Sequence, residues 1–404
     1  MEVKQISAIL NDVVKQAYGE TALNATDLTG LIAMGDYVLN STTSTDVFLN
    51  ALVDRIGYTI FDSRPYRARN WDIIRHAFEY GAILQKIHVQ PLEAVDAPQW
   101  DLEAGESVDQ YVITKPTVNQ KLFAGLTVWE VDVTIPDKTL RTAFISFESM
   151  SAFIDSIFTA ISNSLEVELE RYGALAVNNF IAEKIWAQTN GTTGIHCINL
   201  LTEYNTATGN NVAANDALMN AEFMRWAIRQ INLYCDRFAQ MSSLFNVENY
   251  ARFTPREYMR VKMLSDFTTA AAYFMQSDTF HNNLVELPYY TEIGYWQGSG
   301  TDYSFANTST VNITTSSGHA VNQSGVIGFI SDIEAIGMMY DDRRVRSVRN
   351  ERGEYTNYFN KADIRYYNDL SENGLVFIIS DTPLTSALNA APTVKVAAKS
   401  AAKS

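Results

Sequence analysis

Between residues 149 and 184, apolar side chains fall at Met150, Phe153, Ile154, Ile157, Phe158, Ile161, Leu165, Leu169, Tyr172, Ala176 and Phe180. That is the i, i+3, i+4, i+7 stripe of an amphipathic helix, and no proline interrupts it. Ser146, Ser149 and Ser151 offer oxygens for the N-cap, and Glu148 is placed for a capping role. Such a helix is about 54 Å long at ~1.5 Å per residue, longer than a small domain is wide. It needs a coiled coil or an extended subunit to lie along. Gly173 weakens it by ~1 kcal/mol and is a candidate bend.

Elsewhere the patterning is shorter in range. Residues 1–50 mix amphipathic pieces with polar turns and read as an arm with one or two short helices, 6–18 being the best. Residues 47–57 form a compact apolar helix stopped by Gly57. From about 58 to 140 the period becomes that of strands, loose over 82–95 and clear over 121–135. Between those two runs, 96–110 is acidic and poor in apolar residues, the tip of a protruding hairpin. Residues 190–215 read as polar loops with one short strand at 195–201. A second helix is expected over 220–241, with Phe223, Trp226, Ala227, Ile231, Tyr234 and Phe238 on one side. From there to about 325 the chain is loop-rich, with an exposed hairpin or surface loop near 303–325. Strands return at 326–340, 347–360 and 374–380, and residues 390–404 read as a disordered tail.

Composition narrows the function classes. A chain of 404 residues makes two or three domains or one elaborated one, and 47% hydrophobic content supplies an ordinary core. The net charge of -15 repels polynucleotides and anionic membranes, and suits a container that must not stick to nucleic acid. Two cysteines, Cys197 and Cys235, make no disulfide framework, so a reduced intracellular origin is the default. The N-terminus does not read as a signal peptide, and no window approaches eighteen uninterrupted apolar residues, so no membrane span is expected. Nucleophile elbows, phosphate loops, dinucleotide loops and zinc-protease motifs are absent, and the five histidines do not fall at ligand spacing. His196 beside Cys197 suggests a dyad, but adjacent strand residues point to opposite faces. Asp341 and Asp342 read as turn residues beside arginines rather than as a carboxylate pair. No catalytic, cofactor-binding or metal-binding residue is assigned, and the chain reads as a non-enzyme.

The cluster Arg343, Arg344, Arg346, Arg349 and Arg352 leaves three readings: a solvated strand face, a nucleic-acid contact, or a surface for acidic neighbours. Alternation puts Arg349, Arg352, Tyr355 and Tyr358 on two faces, and Gly353 marks a turn or bulge between strands. Lys86, Lys115 and Lys121 lie in or near the hairpin and receive no role.

Three stretches carry a family resemblance: 52–57 "LVDRIG", 140–177 "LRTAFISFESMSAFIDSIFTAISNSLEVELERYGALAV", and 340–360 "YDDRRVRSVRNERGEYTNYFN". They resemble, in order, parts of the major head protein of Bacillus phage phi 29-like podoviruses, a branch of the tailed-phage capsid proteins with the Hong Kong 97 fold. The resemblance implies an α+β fold with an N-terminal arm (1–50), an extended hairpin or E-loop with the start of the peripheral domain (51–140) and a spine helix (141–189). An axial domain (190–335), peripheral strands (336–382) and a disordered tail (383–404) follow. The immunoglobulin-like domain that some of those proteins carry has no counterpart expected after Ser380.

The implied function is architectural: self-assembly of hexamers and pentamers into the icosahedral or prolate shell around double-stranded DNA. A scaffolding protein and a portal are the implied partners, the virion the implied location, and the host bacterial cytoplasm the site of assembly. In that setting the hairpin tip (Asp96, Asp101, Glu103, Glu106) is expected to meet a neighbour's Arg343, Arg344, Arg346, Arg349 or Arg352. The competing reading, from aromatic content and Asn/Thr/Gly-rich loops, is a carbohydrate-active or tail-associated phage binding protein.

Overall fold

A computed structural model of the chain describes residues 3–18, 28–39, 47–48, 51, 71–75, 84–92, 94, 102–109, 111, 113–123, 127–276, 290–297 and 304–384. The chain divides into two compact units. The first comprises 1–81, 125–173 and 338–366; the second comprises 82–124, 174–337 and 367–404.

In the first unit, helix α1 (Val3–Tyr18) buries Leu10, Val13 and Val14 at helical spacing, and α2 (Leu28–Leu39) buries Leu31, Met34 and Val38. Of the helix expected over 47–57, Val47, Phe48 and Ala51 are helical and the rest lies outside the described residues. The Phe48 ring packs against Phe144, centroids 5.6 Å apart. A four-stranded sheet runs in the order β1 (Ile74–Arg75), β11 (Ile336–Asn350), β12 (Tyr355–Asn368), β4 (Thr127–Pro136). Helix α3 (Asp137–Ala143) follows β4 directly. Asp341 and Asp342 lie inside β11 rather than at a turn. An Asp-Asp pair is a turn signal by composition, yet here the backbone continues the ladder through it.

The alternating run 121–135, read above as one strand, is two. Lys121 to Phe123 end β3 (Val118–Phe123), which pairs with β2 (Leu84–Val89), whereas β4 pairs with β12. A period of two continues through both partners, so the pattern does not register the change of sheet.

Helix α4 (Phe147–Thr189) spans 43 residues, about 65 Å at ~1.5 Å per residue. Ser146 caps it, its Oγ accepting from the Ser149 amide at 3.1 Å. Met150, Phe153, Ile157, Ile161, Leu165, Leu169 and Tyr172 are buried as the stripe demands. The helix continues through Gly173, where the division between the units falls. From Ala176 to Ile185 every side chain is buried, Asn178, Asn179, Glu183 and Lys184 included. A helix end buried all round is a core element, not a surface one.

The second unit is built on a five-stranded sheet in the order β5 (Cys197–Asn199), β13 (Gly374–Ile378), β10 (Val326–Asp332), β6 (Met259–Leu264), β7 (Thr291–Ile293). Its core joins Ile198, Phe223, Ile231, Phe238, Met263, Ile330 and Phe377. The second expected helix is α6 (Ala221–Phe238), capped by Asn220, whose side chain accepts from the Phe223 amide at 3.0 Å. Of the two alternatives near 303–325, hairpin or surface loop, the chain forms a hairpin, β8 (Val311–Thr314) with β9 (Ala320–Gln323).

Two expectations fail here. The polar stretch 190–215 contains helix α5 (Leu200–Thr208), and the loop-rich region after 241 contains β6 and helix α7 (Ser265–Gln276). Leu200, Leu201 and Tyr204 are too brief a stripe to stand out among Asn and Thr. Asn199 starts α5 by accepting from the Leu201 and Thr202 amides, and its Nδ2 donates to Ser380 O at 2.7 Å. Asn199→Ala is therefore expected to cost on the order of 2 kcal/mol, the loss of a cap and a tie, read as a lower denaturant midpoint. An unchanged midpoint would contradict that assignment.

Candidate assembly surfaces

The ladder β2–β3 pairs Lys86 with Lys121, His88 with Asn119 and Val89 with Val118. Because side chains alternate, Lys86, His88, Asn119, Lys121 and Phe123 share one face. Gln85, Ile87, Val89, Val118, Gln120 and Leu122 share the other. An antiparallel sheet on a globular body usually turns its apolar face inward. This one does the reverse. The polar face is half-buried, while Ile87 (60%), Val89 (53%), Val118 (54%) and Leu122 (59%) are exposed. Leu92, Val108, Tyr111 and Ile113, further along the same excursion, are exposed as well.

The polar face is tied down by charge. Lys86 Nζ lies 2.9 Å from Asp369 Oδ2 and 3.3 Å from Glu334, and also reaches Glu372. Lys121 Nζ lies 3.0 Å from Asp369 Oδ1 and also reaches Glu248. Arg252 reaches the same Glu372 oxygen, Oε1, as Lys86 does. Burial works to raise the Asp369 carboxyl, but the charge and hydrogen bond of Lys86, the Ser371 hydroxyl and the Lys121 charge outweigh it. They hold that carboxyl well below the usual carboxylate range. At Glu372 burial outweighs the cations and the carboxyl is raised, so Asp369 is the firmer anion.

At the tip, Glu103 and Glu106 are exposed and close a local turn. The Glu106 amide donates to Glu103 O at 3.1 Å and the Glu103 amide to Glu106 Oε2 at 3.3 Å. Gly105 has φ +101°, a backbone that L side chains avoid. Asp96 and Asp101 lie outside the described residues.

The arginines do not act as one set. Arg349 Nη2 lies 2.6 Å from Asp137 Oδ2, with side chains 13% and 11% exposed, and its Nε is 3.2 Å from Glu351. Arg349 is thus committed within its own unit. Arg344 pairs with Asp363 at 2.7 Å. Arg346 and Arg352 are exposed and make no ion pair among the described residues. Arg343 lies in β11, its side chain outside the described residues.

Gly353 sits in the turn between β11 and β12, as expected. A Cβ there would come within 2.4 Å of the Tyr355 ring, and Asn350 fixes the turn by accepting from the Gly353 amide at 2.9 Å. On β12 and β4 the outward face is a polar ladder, with Lys361 to Glu130 at 2.6 Å and Thr134 to Asn357 at 2.8 Å.

His196 and Cys197 make no dyad. Both backbone amides donate to Gln188 Oε1, burial pushes the thiol up, and burial and the Lys184 charge bring the imidazole down to about 4. Among the described residues, no three His, Cys, Asp or Glu side chains gather as a metal site, and no helix is long and apolar enough to cross a membrane. Lys86, Lys121, Asp369 and Glu372 form the cluster that the sequence did not mark. The two lysines are cross-strand neighbours, but the long excursion between them hides the register.

Comparison with known proteins gives one consistent picture. A family model described as Phi29-like phage major capsid protein matches residues 6–378. The major capsid protein of Bacillus phage B103 is 31% identical over 155 residues, 38% of this chain and 33% of that one. That of Bacillus phage PZA is 22% identical over 358 residues, 88% of this chain and 68% of that one. The match to the B103 protein therefore spans about a third of that relative's length. Among solved structures, the capsid of Staphylococcus phage Andhra aligns with a TM-score of 0.47 at 10% identity, covering 77% of this chain and 84% of that one.

Proposed function

The chain belongs to the Phi29-like phage major capsid protein family, and from that membership we propose that many copies of it tile the closed shell of a phage head. The shell is icosahedral or prolate, made of hexamers and pentamers, assembled around a scaffolding protein, docked on a portal and filled with double-stranded DNA. Assembly takes place in the host bacterial cytoplasm. In this reading the axial domain is built on the second unit's five-stranded sheet, so that 190–335 is joined in it by 374–378. The peripheral domain takes 141–173 and 338–366 rather than all of 141–189 and 336–382, and 82–124 is the extended hairpin that reaches a neighbour.

The observation that carries the reading is the inverted hairpin. A folded chain that exposes Ile87, Val89, Val118 and Leu122 on one face, with the lysines turned inward, has a surface suited to burial against another copy. The net charge of -15 suits a wall that must release its cargo. The test is electron microscopy of the chain co-expressed with its scaffolding protein. Uniform shells are expected; a soluble monomer under every condition would overturn the reading.

Within that shell, the acidic tip with Glu103 and Glu106 is the partner proposed for a neighbouring copy's Arg346 and Arg352, which are exposed and make no ion pair among the described residues. Arg344, already paired with Asp363, contributes second. Exposed pairs are worth only ~0.2–1 kcal/mol each, so Arg346→Glu with Arg352→Glu raises the concentration needed for shells by several-fold without abolishing them. The melting temperature should stay put. Shells at the unaltered threshold would remove these arginines from the contact.

A further inference from the structure

The hairpin β2–β3 is fastened to its unit by side chains. Its ladder stands apart from the five-stranded sheet. Among the described residues its only backbone bond beyond the ladder strands is internal, Gln90 N to Thr117 O at 3.0 Å, apart from the tip turn. The fastenings are the Lys86 and Lys121 ion pairs, the His88 ring stacked on Tyr250 at 5.6 Å, and Phe123 against Tyr367 at 5.1 Å. An arm held this way can leave the body without any strand of the body being broken.

We propose that Lys86 and Lys121, meeting on the two oxygens of Asp369, form an ionic clasp that sets the pose in which the hairpin offers its apolar face to the next copy. The inference rests on the reading that this face docks on a neighbour. Asp369 is wholly buried, and it is anchored from its own side: its amide donates to Ala335 O at 2.8 Å, and Ser371 donates to Oδ1 through its amide (3.0 Å) and hydroxyl (2.7 Å). The carboxylate therefore stays where it is, and the lysines come to it.

Losing both lysines would strand a buried anion, so intermediate poses are disfavoured and the clasp is either made or open. Glu372, shared between Lys86 and Arg252, ties the clasp to the loop that carries Arg252, and Glu248 and Glu334 complete the set around the two amines. The exposed face carries none of these charges. The clasp thus fixes the hairpin's attitude without occupying its docking surface.

The experiment uses the unassembled full chain. Amide hydrogen exchange is followed over 84–89 and 118–123, with limited proteolysis between them, in Asp369→Asn and in the double variant Lys86→Gln/Lys121→Gln. Asparagine keeps the Oδ1 acceptor for Ser371, removes the charge, and replaces the Oδ2 that accepts Lys86 by an amide donor. The glutamines sit on the hairpin and leave the body of the unit intact if the aspartate variant does not fold well.

Exchange and cleavage in the hairpin are expected to rise roughly tenfold or more in both variants while protection in α6 and β10 is unchanged. Hairpin protection equal to that of the parent in the lysine double variant overturns the clasp. The shell reading stands or falls separately. The parent chain failing to assemble with its scaffold counts against that reading, and unaltered hairpin exchange counts against the clasp.

Discussion

Replacing Ile87, Val89, Val118 and Leu122 together by threonine is expected to abolish shell formation while the subunit folds as before. The four side chains are more than half exposed in the chain, so little burial is lost within it. Threonine keeps the β-branch of Ile87, Val89 and Val118 and introduces one at Leu122, which suits a strand and limits the cost to the ladder itself. In a contact the balance differs. Each aliphatic side chain fully buried contributes about 1.5–3 kcal/mol, and half of that for four residues is already ~3–6 kcal/mol per hairpin. At ~1.4 kcal/mol per factor of ten, every hairpin contact weakens by a hundredfold or more, and a closed shell repeats the contact at each subunit. Sedimentation and electron microscopy read the loss, and a thermal melt reads the fold. Normal shells from the quadruple variant would show that this face is not where copies meet.

The long helix was legible because a 3.6-residue stripe sustained from Met150 to Phe180 has no competing explanation, and the cap at Ser146 agrees with it. The hairpin's existence was legible too, since the acidic segment separates two alternating runs. Its orientation was not. A period of two says that Ile87 and Lys86 face opposite ways, and it is silent on which of them turns inward.

That choice is made by Asp369 and Glu372, 248 residues beyond Lys121 and 286 beyond Lys86, respectively. No local pattern carries a contact over such a distance. The same limit explains the arginines. Arg349 looked like its neighbours in sequence, but Asp137, at the start of α3, claims it. It explains α5 as well, where the decisive signal was Asn199 as a cap in a stretch whose composition suggested loop.

Converting Lys184 to methionine is expected to stabilise the subunit at neutral pH and to flatten the dependence of its stability on pH between about 7 and 10. Lys184 is wholly buried in α4, its Nζ donating to Phe245 O at 3.0 Å and lying 5.6 Å from the Phe180 ring centre. Burial lowers its pKa from 10.5 to about 7, with Asp369 and Glu372 pulling the other way. Between those two values the unfolded chain holds a proton that the folded chain has released. The unfolded state binds more protons there, so stability climbs as pH rises through the window, and below about 7 the full penalty applies.

That penalty is on the order of 4 kcal/mol at the low end of the window. Methionine removes it and forfeits one hydrogen bond of ~1 kcal/mol. Phe245 O keeps the Gly374 amide at 2.9 Å as a donor, so the carbonyl is not stranded. The variant should therefore exceed the parent by a few kcal/mol at pH 7 and lose that advantage by pH 10, read as denaturant midpoints of the unassembled chain across that range. Parallel curves for the two proteins would mean that Lys184 keeps its proton inside the fold, held by Asp369 and Glu372 more strongly than burial opposes them.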